Sequence, residues 1–246
     1  MKKTNIGSII AKNGYLEEEY LVNKLNEDTQ LIKLLEEFTG KNITNNAMKI
    51  KGNKKSDINI SGINIQHKKT KDKQFGQIHR HYVDHLINKV PDLEKCKHML
   101  KNLCEKPINE ETKLCDKKYN IKKINNINYT ENEIVNLINL IEKNKINIIN
   151  YAFHGFEEKF IPDLFSISLF TKNTREKLIF WKMNDIIEHL MKSKVNIKKS
   201  QTVIEISNGL TFQRKGGDGG KKGANNFQFK FIPSSLPLDK ALVYNL

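Results

Sequence analysis

The sequence has little of what marks secreted or membrane proteins. Its 3 cysteines are an odd number without a CxxC pair, so they predict reduced thiols and no disulfide framework. No apolar run approaches the length that spans a membrane. The N-terminal stretch MKKTNIGSIIAKNGY lacks the apolar segment of a signal peptide. We therefore expect a cytoplasmic protein with no membrane partner.

Acidic residues are also too few to balance the basic ones. Lys and Arg number 42 against 28 Asp and Glu, which gives a formal net charge of +14. Such an excess predicts a polyanionic partner, most often a nucleic acid. An anionic membrane is one alternative, but no strong basic amphipathic helix supports it. The other is that some of the charge comes from a general compositional bias of the sequence towards Lys, Asn and Ile. A chain of 246 residues is long enough for one domain with a buried core.

Residues 55–70 predict a β-hairpin. Isoleucines alternate with polar residues on both sides of Ser61-Gly62. Alternation with a period of two indicates a strand, and the Ser-Gly pair indicates a tight turn. The alternating isoleucines are Ile58, Ile60, Ile63 and Ile65.

This hairpin carries three residues that suit phosphodiester cleavage. Gln66 and Lys68 are two apart on the second strand and share a face. Asp57 lies on the first strand and comes within reach of them if the strands pair. Oxygen ligands hold Mg²⁺, and a lysine stabilises the charge that develops on the phosphate. On spacing alone, the same pattern also arises by chance on a lysine-rich surface hairpin.

Two helices are predicted around the hairpin. Residues 15–39 have a leucine stripe that ends at Gly40, and they include Glu18. Residues 74–90 predict a second helix, closed by Pro91. Its HxHxxxH histidines invite a zinc interpretation, but the cysteines supply no convincing further ligands, so a solvent- or DNA-facing basic helix is the preferred interpretation.

The C-terminal block, residues 210–231, predicts two strands joined by a glycine-rich turn. Asn208-Gly209 indicates a hairpin before the block, and residues 226–233 predict the last strand. GGDGGKKG is not a phosphate-binding P-loop, because no Ser or Thr follows its lysine. A flexible turn is one interpretation. The other is DNA contact, because Gln and Asn side chains pair with adenine edges while Arg and Lys pair with guanine.

These motifs together resemble those of the HinP-type Type II restriction endonucleases, a branch of the PD-(D/E)xK nucleases. The resemblance rests on Ser56-Asp57, Gln66-x-Lys68, Phe75-Gly76-Gln77-Ile78, His81-Tyr82, the block from Phe212 to Phe231 and an N-terminal stretch that includes Gly14. Residues 92–201 show little of it. The resemblance implies one α/β domain over residues 1–246, with a restriction-endonuclease-like mixed central β-sheet flanked by helices.

The resemblance also implies roles for individual residues. Asp57, Gln66 and Lys68 would be catalytic, and Asp57, Gln66 and Glu18 would hold Mg²⁺. A run of acids near a helix start is also what the helix dipole favours, so Glu18 has a structural alternative. The DNA-contacting residues would lie at the helix start 74–82 and in the C-terminal block: Phe75, Gln77, Arg80, His81, Gln213, Lys215, Lys221, Asn225 and Gln228. Without the resemblance, Gln77 would be taken for a helix-capping residue.

The function implied is Mg²⁺-dependent Type II restriction cleavage of duplex DNA at a short palindrome, such as the GC-rich tetranucleotide GCGC. A cognate DNA methyltransferase would be a functional but not a physical partner. Monomer and homodimer both remain open. The alternatives are a structure-specific repair or resolvase nuclease on the same fold and a non-catalytic basic nucleic-acid-binding protein.

Overall fold

The computed structural model describes most of the chain and divides it into two compact units. The described residues are 6–52, 54–71, 76–104, 130–155, 159–198, 203–214 and 226–246, with the backbone alone at 6–11 and 71. The first unit comprises residues 1–74, 157–189 and 233–246. The second comprises residues 75–156 and 190–232.

Helices and strands alternate irregularly along the described residues. The helices are α1 Ile6–Glu27, α2 Thr29–Thr39, α3 Val83–Lys89, α4 Lys97–Cys104, α5 Glu131–Lys143, α6 Lys145–His154 and α7 Met183–Met191. The strands are β1 Met48–Lys49, β2 Ile58–Ile60, β3 Ile63–Lys71, β4 Gly76–Tyr82, β5 Leu164–Thr171, β6 Thr174–Lys182, β7 Asn196–Ile197, β8 Val203–Ser207, β9 Leu210–Arg214, β10 Asn226–Phe231 and β11 Ala241–Asn245. Within these ranges no helix is long and apolar enough to cross a membrane.

The first unit contains a mixed sheet with the strand order β1-β2-β3-β5-β6-β11. Strands β3 and β5 are parallel, and the other neighbours are antiparallel. The predicted hairpin of β2 and β3 is confirmed, with Ile58 opposite Ile65. Ser61 and Gly62 both have positive φ, 47° and 79°, which suits the tight two-residue turn of a hairpin. The predicted α/β fold with a mixed central sheet is thus present in this unit.

Helices α1 and α2 pack on one face of this sheet. Leu21, Leu25, Leu31 and Leu35 form one buried cluster with the hairpin isoleucines and with Leu164, Leu178 and Phe180. The two helices separate at Asp28, whose side chain accepts a hydrogen bond from the Leu31 amide at 3.0 Å. Gly40 ends α2 in the left-handed conformation, as its position predicts. The leucine stripe of residues 15–39 therefore fixes which side of the sheet is covered.

The second unit contains an antiparallel sheet with the order β4-β10-β9-β8-β7. Its apolar face is a cluster of aromatic rings. Phe212 and Phe227 stack with ring centroids 4.9 Å apart, and Phe231 meets Phe153 of α6 edge to face at 5.4 Å. The side chains of Phe227, Phe229 and Phe231 alternate along β10 and are fully buried. Their neighbours Gln228 and Lys230 consequently lie on the opposite face.

Two predicted elements are wrong in this region. Residues 74–90 are not one helix, because residues 76–82 form β4 and only Val83–Lys89 is helical. Strand β4 gains its backbone partners from β10, which is remote in sequence, and this pairing overrides local helical propensity. Residues 226–233 do not form the last strand either. After Pro233 the chain returns to the first unit, where β11 pairs with β6.

Candidate active site

The carboxylate of Asp57 lies at the start of the hairpin of β2 and β3. The backbone of Asp57 is hydrogen-bonded to two different segments. Its N–H donates to the Ile65 carbonyl at 2.8 Å, and its carbonyl accepts from the Ile50 N–H at 2.9 Å. Its Oδ2 accepts hydrogen bonds from His67 N at 2.7 Å and from Lys68 Nζ at 2.9 Å. Its Oδ1 has no partner among the described residues. The predicted pair of Asp57 and Lys68 is thus in direct contact.

Gln66 is a buried amide whose oxygen lacks a hydrogen bond. The residue is 2% exposed, and within the described structure Oε1 has no hydrogen-bond partner. A buried acceptor without a partner costs about 1–3 kcal/mol. Gln66 and Lys68 are two apart on β3, so they share the face that is opposite the hairpin isoleucines of the helix-covered core. An unpartnered oxygen beside the Asp57–Lys68 pair indicates a place for a ligand.

These residues fit a hard cation such as Mg²⁺. Mg²⁺ prefers oxygen ligands and commonly takes one or two from the protein, with water and phosphate supplying the rest. Asp57 Oδ1 and Gln66 Oε1 are two such oxygens. Among the described residues no group of three or more His, Cys, Asp or Glu side chains forms a metal cluster. The site is therefore one of low protein charge, with a carboxylate and a neutral amide.

Ser56, the residue before Asp57, is held in place by the segment that precedes β5. Ser56 is 1% exposed, and its hydroxyl donates to the carbonyl of Phe160. Asn64 of β3 donates from its side chain to the Ile161 carbonyl at 3.1 Å and from its backbone to Asp163 Oδ2 at 2.8 Å. Residues 160–163 are thereby hydrogen-bonded to Ser56, which precedes β2, and to Asn64 of β3. In the sequence Ser56 is recognisable only as a motif position, because its partner Phe160 is remote in the chain.

The other face of β3 carries a satisfied polar network. His67 lies fully buried between two serines of β5: its Nδ1 is 2.8 Å from Ser166 Oγ and its Nε2 is 3.1 Å from Ser168 Oγ. Burial, with the charges of Lys68 and Arg175, lowers the pKa of His67 to about 3. The imidazole is therefore neutral at ordinary pH. The two serines in the otherwise apolar strand β5 are the sequence signal for this network.

Glu17 extends this network towards α1. Its carboxylate is nearly buried and accepts hydrogen bonds from Lys69 Nζ at 3.2 Å and from Arg175 Nη2 at 2.9 Å. The Arg175 guanidinium also lies over the ring of Tyr20, 3.3 Å from its centroid. Charged groups with this little exposure are stable only when paired. Glu17 therefore joins α1 to strands β3 and β6.

Glu18, the predicted third metal ligand, forms an ion pair away from Asp57 and Gln66. Its carboxylate pairs with Lys49 Nζ of β1 at 2.6 Å, and Lys49 also lies 4.4 Å from the ring centroid of Tyr15. Lys49 is opposite Ile58, whose side chain belongs to the helix-covered core. The structure shows no contact of Glu18 with Asp57 or Gln66. A metal role for Glu18 stays a prediction.

Four predicted DNA-contacting residues share one face of the sheet in the second unit. In the strand register Arg80 of β4 lies opposite Gln228 of β10, and Gln228 lies opposite Gln213 of β9. Gln77 occupies the next position on this face, opposite Lys230. Gln77 is exposed on a strand and not at a helix start, so its predicted position in the fold is wrong, and its contact with DNA stays a prediction.

The remaining predicted contact residues are elsewhere. His81 lies opposite Phe227, on the aromatic side of the sheet, and its ring centroid is 3.5 Å from that of His85. His79 meets Tyr151 edge to face at 4.7 Å. The histidines of the HxHxxxH motif are thus divided between a strand and a helix. Four more lie outside the described residues: Phe75, Lys215, Lys221 and Asn225.

Comparison with known proteins identifies the family of this chain and a solved structure with a similar fold. The sequence model for the R.HinP1I restriction endonuclease matches residues 37–237. Among solved structures, the restriction endonuclease MspI in complex with its cognate DNA is similar with a TM-score of 0.60 at 14% identity, over 94% of this chain and 93% of that one. That likeness shows the fold, and no curated protein matches the sequence significantly. The chain belongs to the R.HinP1I restriction endonuclease family and is a Type II nuclease.

Proposed function

We propose that this nuclease hydrolyses phosphodiester bonds of duplex DNA at a short palindromic site with Mg²⁺ as its cofactor. The observation that carries the proposal is the unpartnered Gln66 Oε1 beside the paired Asp57 and Lys68. DNA as the partner is supported by the net charge of +14 and by the similar enzyme MspI, which was solved with its cognate DNA. We place its activity in the cytoplasm, beside a methyltransferase that would protect host DNA.

Asp57 and Gln66 are the residues that would hold Mg²⁺. When bound, this ion favours formation of hydroxide from water and offsets charge on the phosphate. Asp57 is fixed for the task, because His67 N–H and Lys68 both donate to Oδ2 and leave Oδ1 for the metal. Gln66 contributes a neutral oxygen from a nearly buried amide. The protein thus supplies a preformed but weakly charged binding site.

Lys68 is the residue best placed to act on the substrate. Its ammonium is 2.9 Å from Asp57 Oδ2, and its side chain keeps 31% of its exposure. From this position it would orient the attacking water and donate to a phosphate oxygen as negative charge develops. Preorganised donors of this kind stabilise the transition state more than the ground state. Lys68 therefore holds Asp57 in the resting enzyme and stabilises the phosphorane-like transition state during the reaction.

Sequence selection is assigned to the second unit. Arg80, Gln213, Gln228 and Gln77 present a guanidinium and amides on one sheet face. Arginine pairs with guanine O6 and N7, and a glutamine amide offers both a donor and an acceptor to base edges. GCGC stays the proposed site on the family resemblance. His81 and the residues that the structure does not describe (Phe75, Lys215, Lys221 and Asn225) remain proposed DNA contacts on the same ground.

The test is a digest of phage DNA with and without Mg²⁺. Discrete bands that disappear with EDTA support site-specific cleavage, and sequencing their ends gives the site and the cut position. An Asp57→Asn protein is the control for contaminating nuclease. Cutting confined to junctions or nicks would identify a structure-specific nuclease, and the absence of any cutting would leave a DNA-binding protein. Either result would contradict the proposed function.

A further inference from the structure

Asn59 of β2 lies on the same face of its sheet as Asp57. The two residues are two apart, and the isoleucines on either side of Asn59 belong to the helix-covered core on the other face. Across the ladder Asn59 is opposite Asn64 of β3, which is likewise two residues from Gln66. The pair of Asn59 and Asn64 is therefore the next position on this face after Asp57 and Gln66.

The amide of Asn59 is held in one orientation by a chain of hydrogen bonds. Asn64 donates from Nδ2 to the carbonyl of Ile161 at 3.1 Å, and a carbonyl can only accept. Asn64 therefore turns its Oδ1 towards Asn59, whose Nδ2 donates to it at 2.8 Å. The backbone of Asn64 is fixed as well, because it is hydrogen-bonded to Asp163 through both its N–H and its carbonyl, each at 2.8 Å. Asn59 consequently has its oxygen, and not its NH₂ group, left for another partner.

The Oδ1 atom of Asn59 is an accessible acceptor. Within the described residues it receives no hydrogen bond from the protein. The side chain is partly exposed, and its neighbour on β1, Met48, is 64% exposed. A ligand at the active site can therefore reach this oxygen.

The chemistry of the neighbouring site limits what can donate to this oxygen. A phosphate oxygen is itself an acceptor and cannot pair with it. Mg²⁺ keeps several waters in its shell, and a water on a dication is a strong donor because the ion lowers its pKa. Such a water reaches an acceptor about 4–5 Å from the ion, and Asp57 and Asn59 are about 6–7 Å apart along the strand.

We propose that Asn59 is a positioning residue that accepts a hydrogen bond from a water in the coordination shell of the metal held by Asp57 and Gln66. Asn64 and the Ile161 carbonyl orient the Asn59 amide for this contact. Partners outside the direct ligands orient a metal site and contribute to its affinity. The inference rests on the proposed function, because it requires a metal at Asp57 and Gln66.

The experiment measures metal binding directly and without DNA. Mn²⁺ is the probe, because it prefers the same octahedral oxygen ligands as Mg²⁺, and the EPR signal of the free ion gives the Kd. Asn59→Ala removes both the acceptor and the hydrogen bond to Asn64. Asn59→Asp keeps an acceptor but also loses that hydrogen bond, since a carboxylate has no N–H. Measurement at about 1 M salt, where the Debye length is about 3 Å, limits the long-range effect of the added charge.

Asn26→Ala is the matched control. Asn26 lies on α1, on the helix-covered side of the sheet, and both ends of its amide are used within the protein. Its Nδ2 donates to the Ala47 carbonyl at 3.2 Å, and its Oδ1 accepts from the Ala47 N–H at 2.7 Å. This substitution should lower the melting temperature and leave the Kd for Mn²⁺ unchanged. An Asp57→Asn protein shows how much of the Mn²⁺ binding belongs to the active site.

Asn59→Ala should raise the Kd for Mn²⁺ by about tenfold, the lower end of the range for partners outside the direct ligands. The Mg²⁺ midpoint for cleavage should rise by the same factor. Asn59→Asp should bind Mn²⁺ at least as tightly as the parent protein, although both variants should lose similar thermal stability. The difference between the two variants separates the acceptor from the hydrogen bond to Asn64.

Two outcomes would overturn the inference. An unchanged Kd for Mn²⁺ in Asn59→Ala would leave its oxygen with no role at the metal. Equal weakening of Mn²⁺ binding by Asn59→Ala and Asn59→Asp would confine Asn59 to its hydrogen bond with Asn64. Failure of the proposed function looks different, because the parent protein would then bind no Mn²⁺ or would bind it equally well as Asp57→Asn, and the inference would fail with it.

Discussion

Neighbouring residues of strand β3 face opposite sides of one sheet and have opposite polar environments. On one face the Gln66 oxygen lacks a partner, and Lys68 shares Asp57 with a backbone amide. On the other face His67 is hydrogen-bonded to serines at both ring nitrogens, and Lys69 reaches the carboxylate of Glu17. All four side chains are polar. Both side chains of the second face are paired within the protein, whereas on the first face the Gln66 oxygen has no partner among the described residues.

The contrast separates residues that stabilise the fold from residues held ready for a ligand. A satisfied buried network fixes the position of a strand. An unsatisfied group lowers stability, and proteins retain it mainly at functional sites. The His67 side of β3 therefore holds the strand in register, and the Gln66 side is the one that we propose meets the substrate. Substitutions on the two faces should affect different measurements.

The largest effect is expected for Lys68→Ala. It removes a transition-state contact, so the single-turnover cleavage rate should fall by about 10²–10³, while DNA affinity changes little because one of many basic residues is lost. Lys69→Ala is the matched control on the other face. It should lower the melting temperature and leave the rate at low temperature within a few-fold of wild type. A Lys68→Ala protein that cuts within threefold of wild type would remove this residue from the site.

The three consecutive glutamates of α1 should differ in how their substitution affects stability and cleavage. Glu17→Gln leaves Arg175 and Lys69 without a buried anion, so urea unfolding should show a loss of about 3 kcal/mol. Glu19→Gln is an exposed control and should be neutral. Glu18→Gln tests the predicted metal ligand: a raised Mg²⁺ midpoint for cleavage would support that role, whereas unchanged Mg²⁺ dependence would restrict Glu18 to its ion pair with Lys49.

Stability should also depend on pH through His67. Its pKa is about 3 in the folded chain and about 6.5 when unfolded, so the unfolded state binds the extra proton. The contribution is complete above pH 6.5 and is lost as the pH falls towards 3, by up to about 1.4 kcal/mol per pH unit. Urea unfolding in EDTA at several pH values measures this slope. A His67→Gln protein with the same slope would show that another group is responsible.

The smallest change in the free energy of unfolding is expected for substitutions of Gln66. Gln66→Met replaces the unpartnered amide by an apolar side chain, so it should raise the unfolding free energy by about 1 kcal/mol and abolish Mg²⁺-dependent cleavage.

Gln66→Glu adds a charged ligand and should lower the Mg²⁺ midpoint, because affinity for a hard cation rises with ligand charge. If Gln66→Glu leaves the midpoint unchanged, Gln66 does not bind the metal.

What the sequence predicted well was local. The hairpin of β2 and β3 follows from the alternation of its isoleucines, and the contact between Asp57 and Lys68 follows from pairing two strands across a two-residue turn. The apolar stripe of residues 15–39 gave its helices for the same reason. These features depend on residues that are near one another in the chain.

The features that the sequence did not predict depend on contacts between strands that are remote in the chain. Gln77 was assigned to a helix, because nothing near it shows that β10 will pair with its strand. Glu17 and Glu18 cannot be told apart without Arg175, which comes from β6. The orientation of the Asn59 amide depends on the carbonyl of Ile161, which comes from the segment before β5. Patterns within a segment do not contain this information.

The pairing of β11 with β6 in the first unit affects the order in which the sheet forms during synthesis. Strand β11 forms the edge beside β6, and Tyr244 donates from its hydroxyl to Asp28 Oδ2 at 2.6 Å. Synthesis runs from the N-terminus, so β6 stays an unpaired edge until residues 233–246 leave the ribosome. Such long-range contacts also form slowly. The sheet that carries Asp57 and Lys68 therefore lacks its β11 edge until residues 241–245 have been synthesised.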